Sequence, residues 1–104
     1  MSVFAKRLKE ARLRANLSQE RLGVLAGIDE ASASARMNQY ERGKHAPDRL
    51  TVERLADVLA VPVPYLYAAD DEVAELLLAC HVVDPQRRRQ AIDAVKLLGQ
   101  PPSR

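Results

Sequence analysis

The sequence predicts an all-α protein with one compact domain and an appended helical element. Apolar residues recur at the i, i+3, i+4 spacing of amphipathic helices in several separate segments. Residues that favour helix ends lie between these segments. The helix-starting residues are Ser18, Asp48 and Asp84, and the helix-ending glycines are Gly27, Gly43 and Gly99. A length of 104 residues, 47% of them hydrophobic, suits one such domain.

The first helix is predicted over residues 3–15. Its apolar stripe contains Phe4, Leu8 and Ala11, and Leu13 and Ala15 widen it. The basic residues between them, which include Lys6, Arg7, Lys9 and Arg14, are predicted to form a solvated face.

A second, short helix is predicted after Ser18, whose side chain can cap free backbone N–H groups. Glu20 lies in its first turn, where the helix dipole favours an anion. The apolar residues Leu22, Leu25 and Ala26 give it one buried stripe, and Gly27 ends it. This helix should be half buried.

The third helix has two different faces at about 100° per residue. Ala33, Met37 and Tyr40 fall in one sector and should be buried, with Glu41 at its edge. The opposite side carries polar or small residues. Asn and Gln can pair with adenine, Arg can pair with guanine, and small residues permit close approach to a groove floor. The predicted base-contacting residues are Ser34, Ala35, Arg36, Asn38 and Gln39.

A second set of residues around this helix is predicted to contact DNA phosphates. Ser18 and Gln19 begin a helix whose free N–H groups favour an anion. Arg42, Lys44 and His45 follow the third helix and supply positive charge or hydrogen-bond donors.

At these residues the chain resembles the phage repressor and Cro-like helix-turn-helix family, the Xre-type bacterial regulators. The matching motifs are L-S-Q-E-x-L-x-x-x-x-G at Leu17 to Gly27, E-R-G-K at Glu41 to Lys44, Pro47, and L-A-x-x-L-x-V at Leu55 to Val61. The resemblance covers roughly residues 3–67. It implies a lambda-repressor-like five-helix domain whose second motif helix lies in the major groove of a double-stranded operator, as in the phage repressors. It also implies a structural ion pair between Arg12 and Glu41.

The segment between Gly27 and Glu41 is about four residues longer than is usual in this family, as judged from the resemblance. Either the turn is longer, or the third helix gains a turn that begins at Asp29 or Ser32. Both alternatives move the helix start relative to DNA. Asn38 and Gln39 are therefore expected to be the main base-contacting residues, and Ser34 and Ala35 to be secondary.

A fourth helix should begin after Asp48 and bury Val52, Leu55, Ala56 and Leu59. A fifth, short helix should follow Pro62 and Pro64. Its two tyrosines, Tyr65 and Tyr67, are predicted to be core residues rather than platforms for bases.

Residues 1–69 are therefore predicted to form the DNA-binding domain and residues 70–104 a two-helix extension. The first extension helix has a stripe of Val73, Leu76, Leu77 and Cys80, and the second has Ile92, Val95 and Leu98. These faces need cover, from a second copy in a homodimer or from the chain's own domain. Arg87, Arg88 and Arg89 either contact phosphates or an acidic partner, or form a solvated charge run.

Several classes of function are disfavoured. One cysteine, Cys80, excludes an intrachain disulfide and suits a reducing cytoplasm. No apolar stretch approaches 18 residues, so no membrane association is expected. Neither a metal site, a glycine-rich phosphate loop nor a catalytic set can be assembled, and no cofactor or enzyme activity is expected. Positive charge is concentrated in residues 1–48, which hold nine Lys and Arg against six Asp and Glu.

The sequence thus predicts a cytoplasmic, homodimeric, sequence-specific DNA-binding transcriptional regulator that represses by occupying a promoter. An antitoxin of the same fold is the first alternative, with residues 70–104 binding a toxin protein. A protein-interaction module that binds an acidic protein is the second.

Overall fold

Residues 2–102 are described by the computed structural model, and they contain helices but no β-strand, which confirms the all-α prediction. Met1 of the predicted domain and Ser103 and Arg104 of the predicted extension lie outside this range. Six α-helices follow in the order α1 (Val3–Arg14), α2 (Gln19–Leu25), α3 (Glu30–Glu41), α4 (Arg49–Leu59), α5 (Asp71–His81) and α6 (Arg88–Leu98). Short 3₁₀ helices occupy Val63–Tyr67 and Pro85–Arg87.

The helix ends form largely as the sequence predicts. The Ser18 side chain accepts a hydrogen bond from the Arg21 backbone N–H at 3.0 Å, and Asp48 accepts one from Thr51 N–H at 2.8 Å. Gly27 and Gly43 have φ angles of 92° and 71°, a left-handed conformation that glycine adopts without strain. These caps limit α2, α3 and α4 to the lengths that their apolar stripes predict.

The core lies where α1 to α4 and the 3₁₀ helix Val63–Tyr67 meet. Its largest fully buried side chains are Leu8, Leu22, Met37, Leu55, Tyr65 and Leu66. The predicted inner faces of α3 and α4 are confirmed, because Ala33, Met37 and Tyr40 are buried and so are Val52, Leu55, Ala56 and Leu59. The predicted fifth helix is a 3₁₀ helix, with Pro62 immediately before it.

Three large side chains that were expected in the core are exposed. Leu13 is 56% exposed, Leu25 45% and Tyr67 56%. Leu13 and Leu25 lie close to the ends of their helices, beyond the region that neighbouring helices cover. Tyr67 lies at the end of its 3₁₀ helix and packs beside Phe4, with ring centroids 5.4 Å apart. Ala15 is exposed as well.

The long segment between Gly27 and Glu41 extends the third helix. α3 begins at Glu30, with Asp29 as its N-cap residue, and runs without interruption to Glu41. The Asp29 side chain makes no capping hydrogen bond, whereas the Ser32 hydroxyl donates to the Asp29 carbonyl oxygen at 3.3 Å. Of the two alternatives left open by the sequence, a longer helix is therefore observed.

The C-terminal extension projects from the core. The face of α5 that contacts the core carries Ala74, which is buried, and Leu77 and Leu78, which are half-buried. Of the predicted apolar stripe of α5, Leu77 lies against the chain's own core, whereas Val73, Leu76 and Cys80 are exposed and are not covered by it. The stripe predicted from the sequence did not include Ala74, a small residue that allows α5 to approach the core closely. No residue of α6 is buried.

The elongated shape of the chain follows from this projection. Its principal extents are 62 × 30 × 23 Å and its radius of gyration is 16.3 Å, whereas about 13 Å is typical of a compact domain of this length. Within the described range, no helix combines the length and apolarity that crossing a membrane requires.

Candidate nucleic-acid interface

The interface is built on the close packing of α2 against α3. Gly23 of α2 is buried against α3, and a Cβ atom at this position would lie 2.9 Å from the Ala33 Cβ and 3.0 Å from the Met37 Cγ. Two helices approach this closely only where one of them lacks a side chain. The position of α3 relative to α2 is thus set by the close approach of the Gly23 backbone to Ala33 and Met37.

The outer surface of α3 is fully available to a ligand. The predicted base-contacting residues, Ser34, Ala35, Arg36, Asn38 and Gln39, are all exposed on one side of the helix. The opposite side is anchored by Ala33 and Met37, which have no exposed surface, and by Tyr40. A helix held in this way presents its polar side chains on a rigid backbone.

The C-terminal end of α3 is joined to α1 by an ion pair. The Arg12 guanidinium donates to both carboxylate oxygens of Glu41, at 2.6 Å from Nε and 3.1 Å from Nη2. Its remaining nitrogen, Nη1, donates to the Leu17 carbonyl oxygen at 2.8 Å. Glu41 is almost completely buried, and the bidentate geometry satisfies both of its oxygens. The pair therefore links α1, the turn before α2, and α3.

Gln19 extends this network to the outer surface of α3. Its side-chain amide donates to Glu41 Oε1 at 3.2 Å and lies 3.5 Å from Asn38 Oδ1. The first residue of α2 and one exposed residue of α3 are thereby held beside each other. The predicted phosphate-contacting Gln19 and base-contacting Asn38 are neighbours in the structure.

The other predicted phosphate-contacting residues lie at two ends of the motif. Ser18 and Gln19 are at the N-terminus of α2, where the Ser18 hydroxyl already accepts the Arg21 N–H. Arg42, Lys44 and His45 are exposed just after α3. The two groups flank the exposed face of α3, an arrangement that suits a duplex lying across the motif.

The carboxylate of Asp48 lies near Arg36, one of the predicted base-contacting residues. Asp48 caps α4, and hydrogen bonds from the Thr51 side chain and backbone lower the pKa of its carboxyl group. The positive charges of Arg36 and Arg54 contribute in the same direction. Because the sequence reading placed Asp48 only as a helix cap, its closeness to Arg36 was not anticipated.

A second buried cation was missed by the sequence reading. Arg7 was assigned to the solvated face of α1, but it is only 3% exposed. Its position, three residues after Phe4 and four before Ala11, lies within the apolar stripe of α1. That spacing was the available signal. A charge in an apolar stripe indicates a buried partner, which here is the Ala68 carbonyl group just after the 3₁₀ helix Val63–Tyr67.

Comparison with known proteins assigns the fold and the motif to a family. A family model described as a helix-turn-helix domain matches residues 3–77. A protein described as the uncharacterized HTH-type transcriptional regulator RghRB, from Bacillus subtilis (strain 168), is 39% identical over 70 residues, which are 66% of this chain and 48% of the relative. The chain thus spans about half the length of that relative.

A solved structure agrees over nearly the whole chain. The crystal structure of the transcriptional regulator BswR superposes with a TM-score of 0.83 at 48% identity, over 93% of this chain and 94% of that one. The match includes the helices of the C-terminal extension, and both relatives are named as regulators rather than as enzymes. The chain therefore belongs to the helix-turn-helix family of DNA-binding transcriptional regulators.

Proposed function

We propose that this protein is a homodimeric repressor of the Xre type that inserts α3 into the major groove of a double-stranded operator. The main support is the contrast between the two sides of α3, one tightly buried and the other polar and exposed. A rigid helix with polar side chains on its outer side is the element that reads base edges in helix-turn-helix proteins. Occupancy of a promoter by this element would exclude transcription.

Base recognition is assigned to the exposed side of α3. Asn38 and Gln39 are suited to adenine and Arg36 to guanine, since their side chains can form paired hydrogen bonds with these base edges. Ser34 and Ala35 lie one turn earlier and leave space for the backbone to approach the groove. The Gln19 side-chain amide lies 3.5 Å from Asn38 Oδ1, so a phosphate-contacting residue and a base-contacting residue are side by side in this proposal.

Phosphate contacts are assigned to residues on both sides of α3. The N-terminus of α2 offers free N–H groups at Ser18 and Gln19. Arg42, Lys44 and His45 offer side-chain donors at the other end. These contacts carry no sequence information and fix the position of the motif along the duplex. Since bacterial DNA is in the cytoplasm, we place the protein there.

The homodimer is assigned to the extension, with residues 1–69 as the DNA-binding domain and 70–104 as the pairing element. On α6, Val95 is 48% exposed and Ile92 36% exposed. Together with Leu76 of α5 they line an apolar groove of about 330 Å³. A solitary helix with an uncovered apolar face is marginal in water, so a partner surface is required.

The charges of the extension favour a second copy as that partner. Residues 70–81 carry four carboxylates and no Lys or Arg, whereas residues 87–96 carry three arginines and one lysine against one aspartate. In a two-fold dimer, the two protomers use the same surface and face each other in opposite directions. The basic α6 of one protomer can therefore lie along the acidic α5 of its partner. Arg87, Arg88 and Arg89 then have an acidic surface to face.

Selection from a random DNA library tests the whole proposal. The purified chain should enrich a symmetric motif whose half-sites lie about one helical turn apart. Its affinity should fall steeply as the salt concentration rises, because phosphate contacts release counterions. An enriched motif without symmetry would contradict the dimer. No enriched motif at any salt concentration would contradict sequence-specific binding.

The uncovered face of α6 also favours a second candidate, an antitoxin whose extension covers a toxin protein. The two candidates differ in the free protein. A repressor dimer should sediment as a dimer at micromolar concentration, and Val95→Asp should convert it to a monomer because a carboxylate would be buried in the interface. A wild-type chain that sediments as a monomer and pairs only with a second, co-expressed protein would favour the antitoxin.

A further inference from the structure

A buried arginine connects the DNA-binding domain to the extension. The Arg7 Nε atom donates to the Ala68 carbonyl oxygen at 2.8 Å, and Nη2 donates to the Ala69 carbonyl oxygen at 3.3 Å. Nη2 also donates to the Asp71 carboxylate at 2.9 Å, and Nη1 donates to Glu10 at 3.1 Å. We refer to the contacts from Arg7 to Ala68, Ala69 and Asp71 as the Arg7 bridge.

The bridge spans the joint between the two parts of the chain. Ala68 and Ala69 follow the 3₁₀ helix Val63–Tyr67, and Asp71 is the first residue of α5. Asp70 between them caps α5 by accepting the N–H groups of Glu72 and Val73. Each of the four residues from Ala68 to Asp71 thus takes part in at least one hydrogen bond. These bonds fix the path of the backbone from the core to α5.

Arginine is suited to this task in a way that lysine is not. Its planar guanidinium donates in several fixed directions at once, whereas an ammonium is a point charge on a flexible stem. Here one side chain meets two carbonyl groups and two carboxylates on three different elements. Lys6 adds a longer contact to the same Asp71 oxygen, at 3.5 Å. The Arg7 guanidinium therefore fixes the direction in which α5 leaves the core, and does not only attract it.

We propose that the Arg7 bridge is the device that sets the spacing between the two operator half-sites. The inference rests on the proposed homodimer, in which α5 and α6 of each protomer form the pairing element. The angle at the joint then determines how far apart the two copies of α3 lie. Arg7 and Asp71 act as positioning residues, because neither belongs to the surface assigned to DNA.

The required precision is small enough for one joint to provide it. A lever of about 20 Å between the joint and α3 is comparable with the shortest extent of the chain, 23 Å. A change of about 10° on a lever of about 20 Å moves α3 by about 3.5 Å, which is the rise of one base pair. Because both protomers change together, such a rotation would shift the preferred spacing by up to about two base pairs.

The test compares binding to paired half-sites whose separation varies in single base-pair steps. The duplexes are built from the motif that the wild-type chain selects, and a duplex with one half-site serves as a reference. Wild type should lose about tenfold in affinity when the spacing changes by one base pair, the cost of about one mismatch in an operator. Asp71→Ala and Arg7→Lys should reduce this loss to about threefold, since an ion pair at a surface contributes no more than about a fivefold factor.

Glu72→Ala is the matched control, because it removes one carboxylate from the same acidic segment 70–81, and so weakens any charge pairing between protomers as much as Asp71→Ala does, but leaves the bridge intact. It should keep the wild-type spacing profile. Asp71→Ala should also keep the wild-type affinity for the single half-site, and its thermal unfolding should show that it is folded. Asp71 is exposed, so this variant remains informative even if Arg7→Lys destabilises the core.

Two failures are distinguishable. If wild type selects no paired motif, the proposed dimeric repressor is wrong. If wild type has a sharp spacing preference that Asp71→Ala and Arg7→Lys retain, the repressor stands and the Arg7 bridge does not set the spacing. A loss of affinity for the single half-site in Asp71→Ala would also overturn the inference, because it would show an effect on reading rather than on spacing.

Discussion

At the scale of single residues, a buried ion pair is the main polar contact that holds α3 in the helix-turn-helix motif. Glu41 is 4% exposed, yet its side chain forms an ion pair with Arg12 and accepts a further hydrogen bond from Gln19. Among residues 2–102, no buried side-chain nitrogen or oxygen lacks a hydrogen-bond partner. The network is complete, so loss of one member leaves its partners unsatisfied.

Glu41→Gln should lower the free energy of unfolding by about 3 kcal/mol, because it leaves the Arg12 charge enclosed without a counter-charge. Urea denaturation measures the change. Glu20→Gln, at an exposed position of α2, is the control and should cost little. The double variant Arg12→Met, Glu41→Leu should recover at least half of the loss, since apolar pairs replace buried ion pairs well. A Glu41→Gln protein as stable as wild type would contradict this role for the pair.

Gln39→Ala and Lys44→Ala should distinguish base recognition from phosphate contacts. Gln39→Ala should relax the preference for one base pair of the selected motif, with a loss of about 1 to 3 kcal/mol on the preferred base only. Lys44→Ala should weaken binding on all sequences alike and reduce the salt dependence by about one counterion. Both are measured by titrating each variant onto the motif and its single-base variants. Uniform weakening by Gln39→Ala would remove Gln39 from the base-contacting residues.

At the scale of helices, the orientation of α3 depends on a missing side chain in α2. The space at Gly23 is closed by Ala33 and Met37, two residues that contribute to the buried side of α3. A methyl group there has to displace the helix that carries the exposed reading residues. The packing of α2 against α3 and the proposed DNA recognition are thus linked at one position.

Gly23→Ala should therefore cost about 1 to 3 kcal/mol of stability through overpacking. It should also weaken operator binding, because α3 shifts outward. Ala33→Gly in the same chain should restore part of the operator binding, since it removes the atom that lies 2.9 Å away. It should restore less of the stability, because a glycine inside a helix itself costs about 0.5 to 1 kcal/mol. Gly99→Ala is the control, because a Cβ there meets only ordinary contacts at 3.5 Å and beyond. Thermal unfolding and a binding titration on each variant decide the outcome.

The helices could be predicted from the sequence because their signals are local. Caps such as Ser18 and Asp48 and the spacing of Val52, Leu55 and Ala56 depend only on neighbours within a few residues. The inner face of α5 could not be predicted in this way. Ala74 is buried and Val73 is exposed because of where the extension meets the core. That contact joins segments that are distant in the sequence.

The site was predicted to a similar extent. The exposed side of α3 and the residues around it follow from helix geometry, and their roles in DNA binding stay predictions. The partners of Gln19 and Arg7 required the structure, because each contact joins residues that are far apart in the chain. The burial of Arg7 was the avoidable error, since its place in the apolar stripe could be read from the sequence.

At the scale of the whole molecule, two carboxylates couple its stability to pH. The Arg7 side chain, by hydrogen bonding, lowers the pKa of Asp71, and Lys6 contributes through its charge. The pKa of Asp48 is lowered mainly by Thr51. A lowered pKa means that the folded state holds these protons less tightly than the unfolded state. The stability that they contribute is complete above the unfolded pKa and is lost as the pH falls through the folded pKa.

The melting temperature should therefore be steady above about pH 5 and decline below about pH 4, where unfolded aspartate takes up protons. Asp71→Asn should decline less over this range, because one of the coupled groups is absent. Thermal unfolding followed by circular dichroism between pH 7 and pH 2.5 measures both curves. Glu72→Gln, a neighbouring carboxylate outside the Arg7 bridge, is the comparison. An identical acid decline in wild type and Asp71→Asn would exclude Asp71 as a contributor.

The exposed face of α3 has a consequence for how this protein can diverge. Ser34, Ala35, Asn38 and Gln39 are exposed, so most exchanges at these positions should change the folding free energy by no more than about 0.5 kcal/mol. Lineages can therefore sample many amino acids there without losing the folded chain. If α3 reads the operator as proposed, new operator preferences are reachable by single neutral steps, while Gly23, Arg12 and Glu41 hold the helix in place.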